Sequence, residues 1–283
     1  MRIHCSIALA LALTAASIPN AAAEDREQAI AAIEKLGGKI EFADKEPSKP
    51  VRLIYLWGER VTDKELALLK ALPDLQRLDL RDARVTDKGL RLLGKMPNLE
   101  ALYLWNTPVT DDGLAHLKDL NKLHLLNLWG TSISDKGLAH VGELKSLDML
   151  RLDKTKVTDA GLAHLKGLQK LWVLGLEETA VTDAGLAHLV RFEKLDCLEL
   201  TGTKVTDAGL KTVAGLKSLT RLSLGGTQVS DEGLKHLHTL KGLRWVTLDG
   251  TKVTEEASPG LFLSPDKSPR PLARLRWPRR RGC

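Results

Sequence analysis

Cysteine is scarce in this 283-residue chain, with three in all: Cys5, Cys197 and Cys283. Three scattered cysteines form neither a disulfide framework nor a CxxC metal pattern, so the fold must be held by burial. Aromatic residues are only 4% of the chain, with six Trp, three Phe and two Tyr. A core of this size is therefore aliphatic, and wherever the aromatics gather they have another role. Long apolar runs are missing too. The one near the start, about Ile7 to Ala16, falls short of the ~20 residues that span a bilayer. A general basic balance is also absent once the charge is located. The formal net charge is +6, but Arg2 and the tail from Pro265 onward, with seven Lys/Arg against one Asp, carry more than all of it. The body is left at −1, which removes the basic signature of a nucleic-acid binder.

What is present begins with a short basic start, Arg2 and His4, then the apolar run, then Ala21-Ala22-Ala23 before Glu24. That order is the order of a secretory signal peptide, residues 1–23, cleaved after Ala23. Cys5 precedes the apolar run and leaves with it. The mature chain is expected to be exported, periplasmic or extracellular, without a transmembrane segment.

Beyond the first fifty residues the chain counts in twenty-fours. Val61-Thr62-Asp63 recurs at Val85, Val109, Ile133, Val157, Val181, Val205, Val229 and Val253 with no insertion. A fixed period of this length means stacked structural repeats. Within the unit Leu99 to Lys122, Leu102 and Leu104 lie two apart, the period of a strand with one buried face. Leu114, Leu117 and Leu120 follow at the spacing of a short helix with one apolar stripe. Thr110 or Asp111 stands where it caps that helix, and Thr62-x-x-Glu65 makes a full capping box. One such unit cannot bury its leucines alone; a stack can.

These residues resemble the leucine-rich repeat family, whose pattern L-x-x-L-x-L-x-x-N-x-L is here Leu99-x-x-Leu102-x-Leu104-x-x-Thr107-x-Val109. The V-T-D-x-G-L ending is similar to short repeats of exported bacterial proteins. The resemblance implies an α/β solenoid, curved, with a parallel β-sheet on the concave face and short helices on the convex face. The family's asparagine is threonine at 107, 131, 155, 179, 203, 227 and 251, and Glu59 or Ala83 in the first two units. A hydroxyl ladder between turns is the expected replacement for the asparagine ladder. The repeat domain spans 51–254 in about nine units. Residues 24–50, with Ala29, Ile30, Ile33 and Leu36 in helical spacing and "KIEF" as an added strand, are expected to cap its first rung. Residues 255–283 form a basic tail whose prolines at 259, 265, 269, 271 and 278 oppose regular structure. The tail is either a polybasic arm for anionic surfaces or an unselected remnant.

If Leu102 and Leu104 point inward, their neighbours point out of the concave face in three columns. Both tyrosines and three of the six tryptophans fall there within the first four units: Tyr55, Trp57, Tyr103, Trp105 and Trp129. Arg81 stands between Trp57 and Trp105, where rungs ~4.8 Å apart would place its guanidinium between two indoles. Asp153, Glu177 and Glu199 make the following rungs acidic. A contiguous aromatic surface marks an interaction site, whereas scattered aromatics do not. The expected function is non-catalytic recognition of a protein or peptide through this aromatic half, with the three acids selecting basic groups. A polysaccharide partner and, further off, a hydrolase using the concave carboxylates are the alternatives. A stacking ladder that only stiffens the sheet is the structural reading of the same residues.

Other recurrences carry no chemistry of their own. His116, His140, His164, His188 and His236 recur with the helix, too far apart to converge on an ion at ~2 Å. The Asp63-to-Asp231 row offers one carboxylate per rung, against the six to eight oxygens calcium takes. Cys197 has Glu199 and Arg221 nearby, and the arginine would lower its pKa, but no histidine stands by as base. No cofactor and no metal is expected.

Overall fold

A computed structural model describes residues 21–257. The expected signal peptide, up to residue 20, and the basic tail beyond residue 257 lie outside the described residues. The first helix, α1, spans Ala21–Lys35 and so includes the expected cleavage point.

Among the described residues the strands form one ten-stranded sheet in sequence order. β1 (Lys39–Phe42) pairs antiparallel with β2 (Val51–Tyr55). From β2 onward all pairing is parallel: β3 (Arg77–Asp79), β4 (Ala101–Tyr103), β5 (Leu125–Asn127), β6 (Met149–Arg151), β7 (Val173–Gly175), β8 (Cys197–Glu199), β9 (Arg221–Ser223) and β10 (Trp245–Thr247). The register is the repeat itself, since Leu78 pairs with Leu102 and Leu102 with Leu126, each 24 residues on. The parallel strands are short: each three-residue strand turns one core residue inward, as β4 does Leu102, and the next, Leu104, follows just past its end.

The core runs the length of the stack as one cluster. Leu102, Leu104, Val109, Leu114, Leu117 and Leu120 are all buried, as are their equivalents in the other units save Val253 of the last, which is partly buried. Helical turns such as α2 (Asp87–Leu93) and α3 (Asp111–Leu114) close the convex side. At the N-terminal end Ala29 and Ile33 of α1 are buried, and α1 packs on the helical turn Glu65–Ala71. α1 and β1 thus both lie against the first rung, β1 on the sheet edge.

Two expectations about the turns need correction. The threonines that replace the family's asparagine do not ladder between rungs. Each hydroxyl donates to the carbonyl three residues back in its own turn, Thr107 Oγ1 to Leu104 O at 2.6 Å and Thr131 Oγ1 to Leu128 O at 2.6 Å. A hydroxyl has the reach for its own turn and lacks the asparagine's second group for a neighbour. The inter-rung link is made by the aspartate row, whose carboxylates reach the next rung. Asp87 Oδ1 accepts from Thr110 N at 2.8 Å and Oδ2 from Thr110 Oγ1 at 2.6 Å, one rung on. The same two-bond clip joins Asp63 to Thr86, Asp111 to Ser134, Asp135 to Thr158, Asp159 to Thr182, Asp183 to Thr206, Asp207 to Ser230 and Asp231 to Thr254. In most units the same hydroxyl also caps its own helix, as Thr86 Oγ1 accepts from Lys88 N, whereas Thr110 and Ser230 make no such bond.

The clip explains the glycine of V-T-D-x-G-L. A Cβ at Gly113, Gly161 or Gly185 would lie 2.3 Å from the incoming aspartate oxygen of the preceding rung. The first rung has no preceding aspartate, and there the glycine is Glu65. Its carboxylate accepts from Thr62 N at 2.9 Å and Thr62 Oγ1 at 2.6 Å, so the capping box supplies the clip that a neighbour gives elsewhere. Asp135→Ala removes two bonds, one of them to a backbone N–H left without a partner. Its expected cost is about 1–3 kcal/mol, measured by urea denaturation against wild type.

Candidate binding surface on the concave face

The alternation of the strands settles which side chains leave the core. The first outward column holds Ala101, Leu125, Val173 and Cys197, which their neighbours bury. The same column also carries Arg77, Arg221 and the half-exposed Trp245, and the second and third columns carry most of the polar and aromatic groups.

In the N-terminal half, Asp79 is only 2% exposed and holds Arg81 in place. Arg81 Nε donates to both carboxylate oxygens at 3.0 Å, and Nη2 pairs with Oδ2. So fixed, the guanidinium lies 5.2 Å from the Trp57 ring centre and 5.8 Å from that of Trp105. Trp105 and Trp129 are 4.0 Å apart between ring centres and tilted at 48°. Tyr55 meets Trp57 edge-on at 5.8 Å, and Lys154 Nζ lies 5.6 Å from the Trp129 ring. The structure thus brings Tyr55, Trp57, Arg81, Trp105 and Trp129 into one row of ring and cation contacts. Tyr103 lies beside it, half-buried in the second column. Trp57 is the most open of the row at 43% exposure. Sequence reasoning missed Asp79 as the anchor of Arg81. The signal was there, since Asp79 is two residues before Arg81 on the same side of a strand.

The acidic residues are placed differently from the expectation that all three face a ligand. Asp153 has no exposed surface, so whatever it does it does through its neighbours. Its Oδ1 accepts from Glu177 N at 2.9 Å, and its Oδ2 from Arg151 Nε at 2.6 Å. Arg151 also reaches Glu199 Oε2 at 2.7 Å, two rungs away, passing over β7. That reach is allowed by Gly175, where a Cβ would lie 2.5 Å from both Arg151 Nε and Asp153 Oδ2. The carboxylates of Asp153, Glu177 and Glu199 come within 4.8 Å of one another. One guanidinium serves three acids. Burial pushes the Glu199 carboxyl up to about 7, with Arg151 opposing and Asp153 and Glu177 adding to the rise. Burial and Asp153 also raise Glu177. These oxygens stand within reach of a shared metal ion, but two of the three carboxylates are already ion-paired to Arg151.

Cys197 Sγ is 3.9 Å from Glu199 Oε1. Burial, then Glu199, pushes its thiol up to about 12, outweighing Arg221. The lowering expected from Arg221 alone is overturned, since burial and Glu199 disfavour the thiolate.

The edge of this surface carries strain. After each strand the chain turns through a left-handed residue, which is glycine at 58, 130, 202, 226 and 250. At Asp82, Asn106, Lys154 and Glu178 it is not, with φ between 52° and 56°. Those four make two pairs across rungs: Asn106 Nδ2 donates to Asp82 Oδ1 at 3.0 Å, and Lys154 Nζ pairs with Glu178 Oε1 at 3.1 Å. Asn and Asp tolerate this conformation; Lys and Glu pay ~1 kcal/mol or more for it. An exposed ion pair returns about 0–1 kcal/mol.

The architecture is that of a leucine-rich-repeat solenoid, with the sheet lining one side and short helices the other. A family model described as Leucine Rich repeat matches residues 71–94 and 215–237. Among solved structures, the chain is similar to internalin C2 from Listeria monocytogenes, at 26% identity and a TM-score of 0.59, over 70% of this chain and 80% of that one. In all, 452 chains of solved structures match, so the fold by itself does not single out a ligand. No curated protein matches the sequence. The chain thus has the fold of a leucine-rich-repeat solenoid and is similar to that internalin, and its fold and that likeness fit a non-enzymatic scaffold. Among the described residues, no helix is long and apolar enough to cross a membrane.

Proposed function

We propose that this protein is an exported recognition scaffold that binds a polypeptide through the aromatic N-terminal half of its concave face. The observation that carries the reading is the row Trp57, Arg81, Trp105 and Trp129, continuous across four rungs. The frame does not need it, because later rungs place Thr201 and Gly225 in the same column with the same core beneath. Tyr and Trp offer large contact area at little entropy cost, and Asp79 fixes Arg81 before any ligand arrives, which lowers the cost of binding. Two residues at the edge, Lys154 and Glu178, are held in a strained backbone that their ion pair does not offset, as expected where function sets the side chain.

A polypeptide suits the row better than a sugar. A sugar ring lies flat on an indole, and the 48° tilt between Trp105 and Trp129 leaves no continuous plane for successive rings. Capture from an exported proteome by wild type and by a Trp105→Ala, Trp129→Ala double variant tests the surface. Indoles at the centre of an interface contribute ~2 kcal/mol or more each, so retention is expected to fall at least tenfold. Equal capture by both proteins overturns the choice of face. A tryptophan-fluorescence shift on adding cell-wall polysaccharide, with no captured polypeptide, points to the sugar instead.

A further inference from the structure

We propose that two copies of this chain pair edge to edge through β10, antiparallel about a two-fold axis at Thr247, so that the protein is a dimer whose concave faces continue one another. The pairing is independent of what the concave face binds.

The sheet has two edges, and they are built differently. The N-terminal edge is β1, whose register shifts between Glu41 and Phe42 and whose exposed positions are Lys39 and Glu41. A bulge and charges of this kind keep an edge from pairing. The other edge is β10, Trp245-Val246-Thr247, three strong strand formers in unbroken register with β9 and without a charge. Trp245 is 50% exposed on it. Leu243 and Val253 beside it are only partly buried, where their equivalents one repeat back, Leu219 and Val229, are sealed.

The backbone of β10 is open in the same direction. On the preceding rung Leu224 N donates to Thr247 O and Gly226 N to Asp249 O, and Thr220 O accepts from Arg244 N and Trp245 N. One repeat on, the matching groups are Leu248 N, Gly250 N and Arg244 O, and among the described residues none of them has a partner. Trp245 N and Thr247 O face β9, so the alternation of a ladder turns the N–H and C=O of Val246 away from it. The chain's own repeat is not fitted to fill this edge. The residues 24 on from Trp245 and Thr247 are Pro269 and Pro271. Proline has no N–H to give, and the first of them stands where Trp245 N bonds Thr220 O. A head-to-tail contact of β10 on β1 would meet the bulge. Self-pairing is left with β10 on β10, which a two-fold axis closes.

The free groups set the register. With Thr247 on the axis, Leu248 N meets Val246 O of the second copy and Gly250 N meets its Arg244 O, in both directions. Val246 then lies beside the second copy's Leu248, both on the core side, and Trp245 beside its Asp249, both on the concave side. A slip of one residue would set core side chains against concave ones.

The test is sedimentation velocity on the full chain over an about hundredfold range of concentration, with hydrogen exchange read at the Leu248 and Gly250 amides. A dimer is expected, with both amides exchanging more slowly as concentration rises. Thr247→Glu and Thr247→Lys, each checked for an unchanged circular-dichroism spectrum, put like charges directly across the axis and are expected to weaken the dimer by about tenfold or more. An equimolar mixture of the two is expected to restore it, since each then faces the opposite charge. A monomer at every concentration overturns the proposal. So does a dimer that Thr247→Glu leaves intact, or a mixture that associates no better than its components. Amides protected equally at all concentrations mean that the chain's own residues cover the edge, and amides unprotected at all concentrations leave it free for a partner of another kind; either result overturns the second copy as its occupant.

Discussion

Arg151→Leu is expected to be the most damaging change of a single side chain on the concave face, costing about 3–5 kcal/mol at pH 8, and clearly less at pH 5. Leucine fills most of the volume but leaves Asp153, fully buried, with only the Glu177 N–H to face its charge, and Glu199 without its ion pair. Removing one partner of a buried ion pair carries that order of cost because the remaining charge stays desolvated. The pH dependence follows from the sign of the shift. Glu199 has its folded pKa raised from 4.5 to about 7, so folding takes up a proton between those values. The penalty for ionising it in the folded state is absent below about pH 4.5 and complete above about pH 7. Wild type thus loses stability as pH rises through that window. Arg151 is the strongest of the influences that hold Glu199 down, so its removal lifts the folded pKa further and steepens the loss. Urea melts of both proteins at pH 5 and pH 8 measure this. An equal loss at the two pH values would mean that Arg151 acts by packing alone.

This cluster is also where the sequence was least legible. The frame could be read directly: a period of 24 with leucines two apart fixes the sheet, its register and the inward face, because a one-residue slip would turn every leucine outward. The aromatic row followed from the same alternation, as far as which side Trp57, Arg81, Trp105 and Trp129 share. Burial within a face did not. Asp153 and Glu177 stand in the same column and look alike in sequence, yet one is sealed and the other open. The difference lies in Gly175, a position that reads as an empty place in the second column and acts as a passage for Arg151. Long side chains reach across rungs, and a column listing treats each rung as separate. The aspartate row was under-read for the same reason, since its bonds are to residues 23 positions on, beyond the helix whose start it marks.

Gly137→Val is expected to cost about as much as the loss of Arg151, roughly 3 kcal/mol or more, and to change how the protein melts. The inserted Cβ would stand 2.4 Å from Asp111 Oδ1 and 2.9 Å from Ile133 Cγ2. The aspartate must swing away, losing its bonds to Ser134 N and Oγ and stranding a backbone N–H, while the crowded helix adds about 1–3 kcal/mol of overpacking. In a globular core such a cost would lower one transition. In a stack each rung touches only its neighbours, so the damage is confined to the joint between the unit of Val109 and that of Ile133. The three rungs on the N-terminal side keep their cap together with Trp57, Arg81 and Trp105, and those beyond keep their own clips. Weakening one nearest-neighbour term uncouples the two sides, so denaturation followed by hydrogen exchange is expected to resolve two cooperative units where wild type shows one. Gly137→Ala makes the same clash with a smaller group and is expected to fall between. If Gly137→Val shifts a single transition with every amide exchanging together, the clips are not the coupling between rungs, and the continuous leucine core alone carries it.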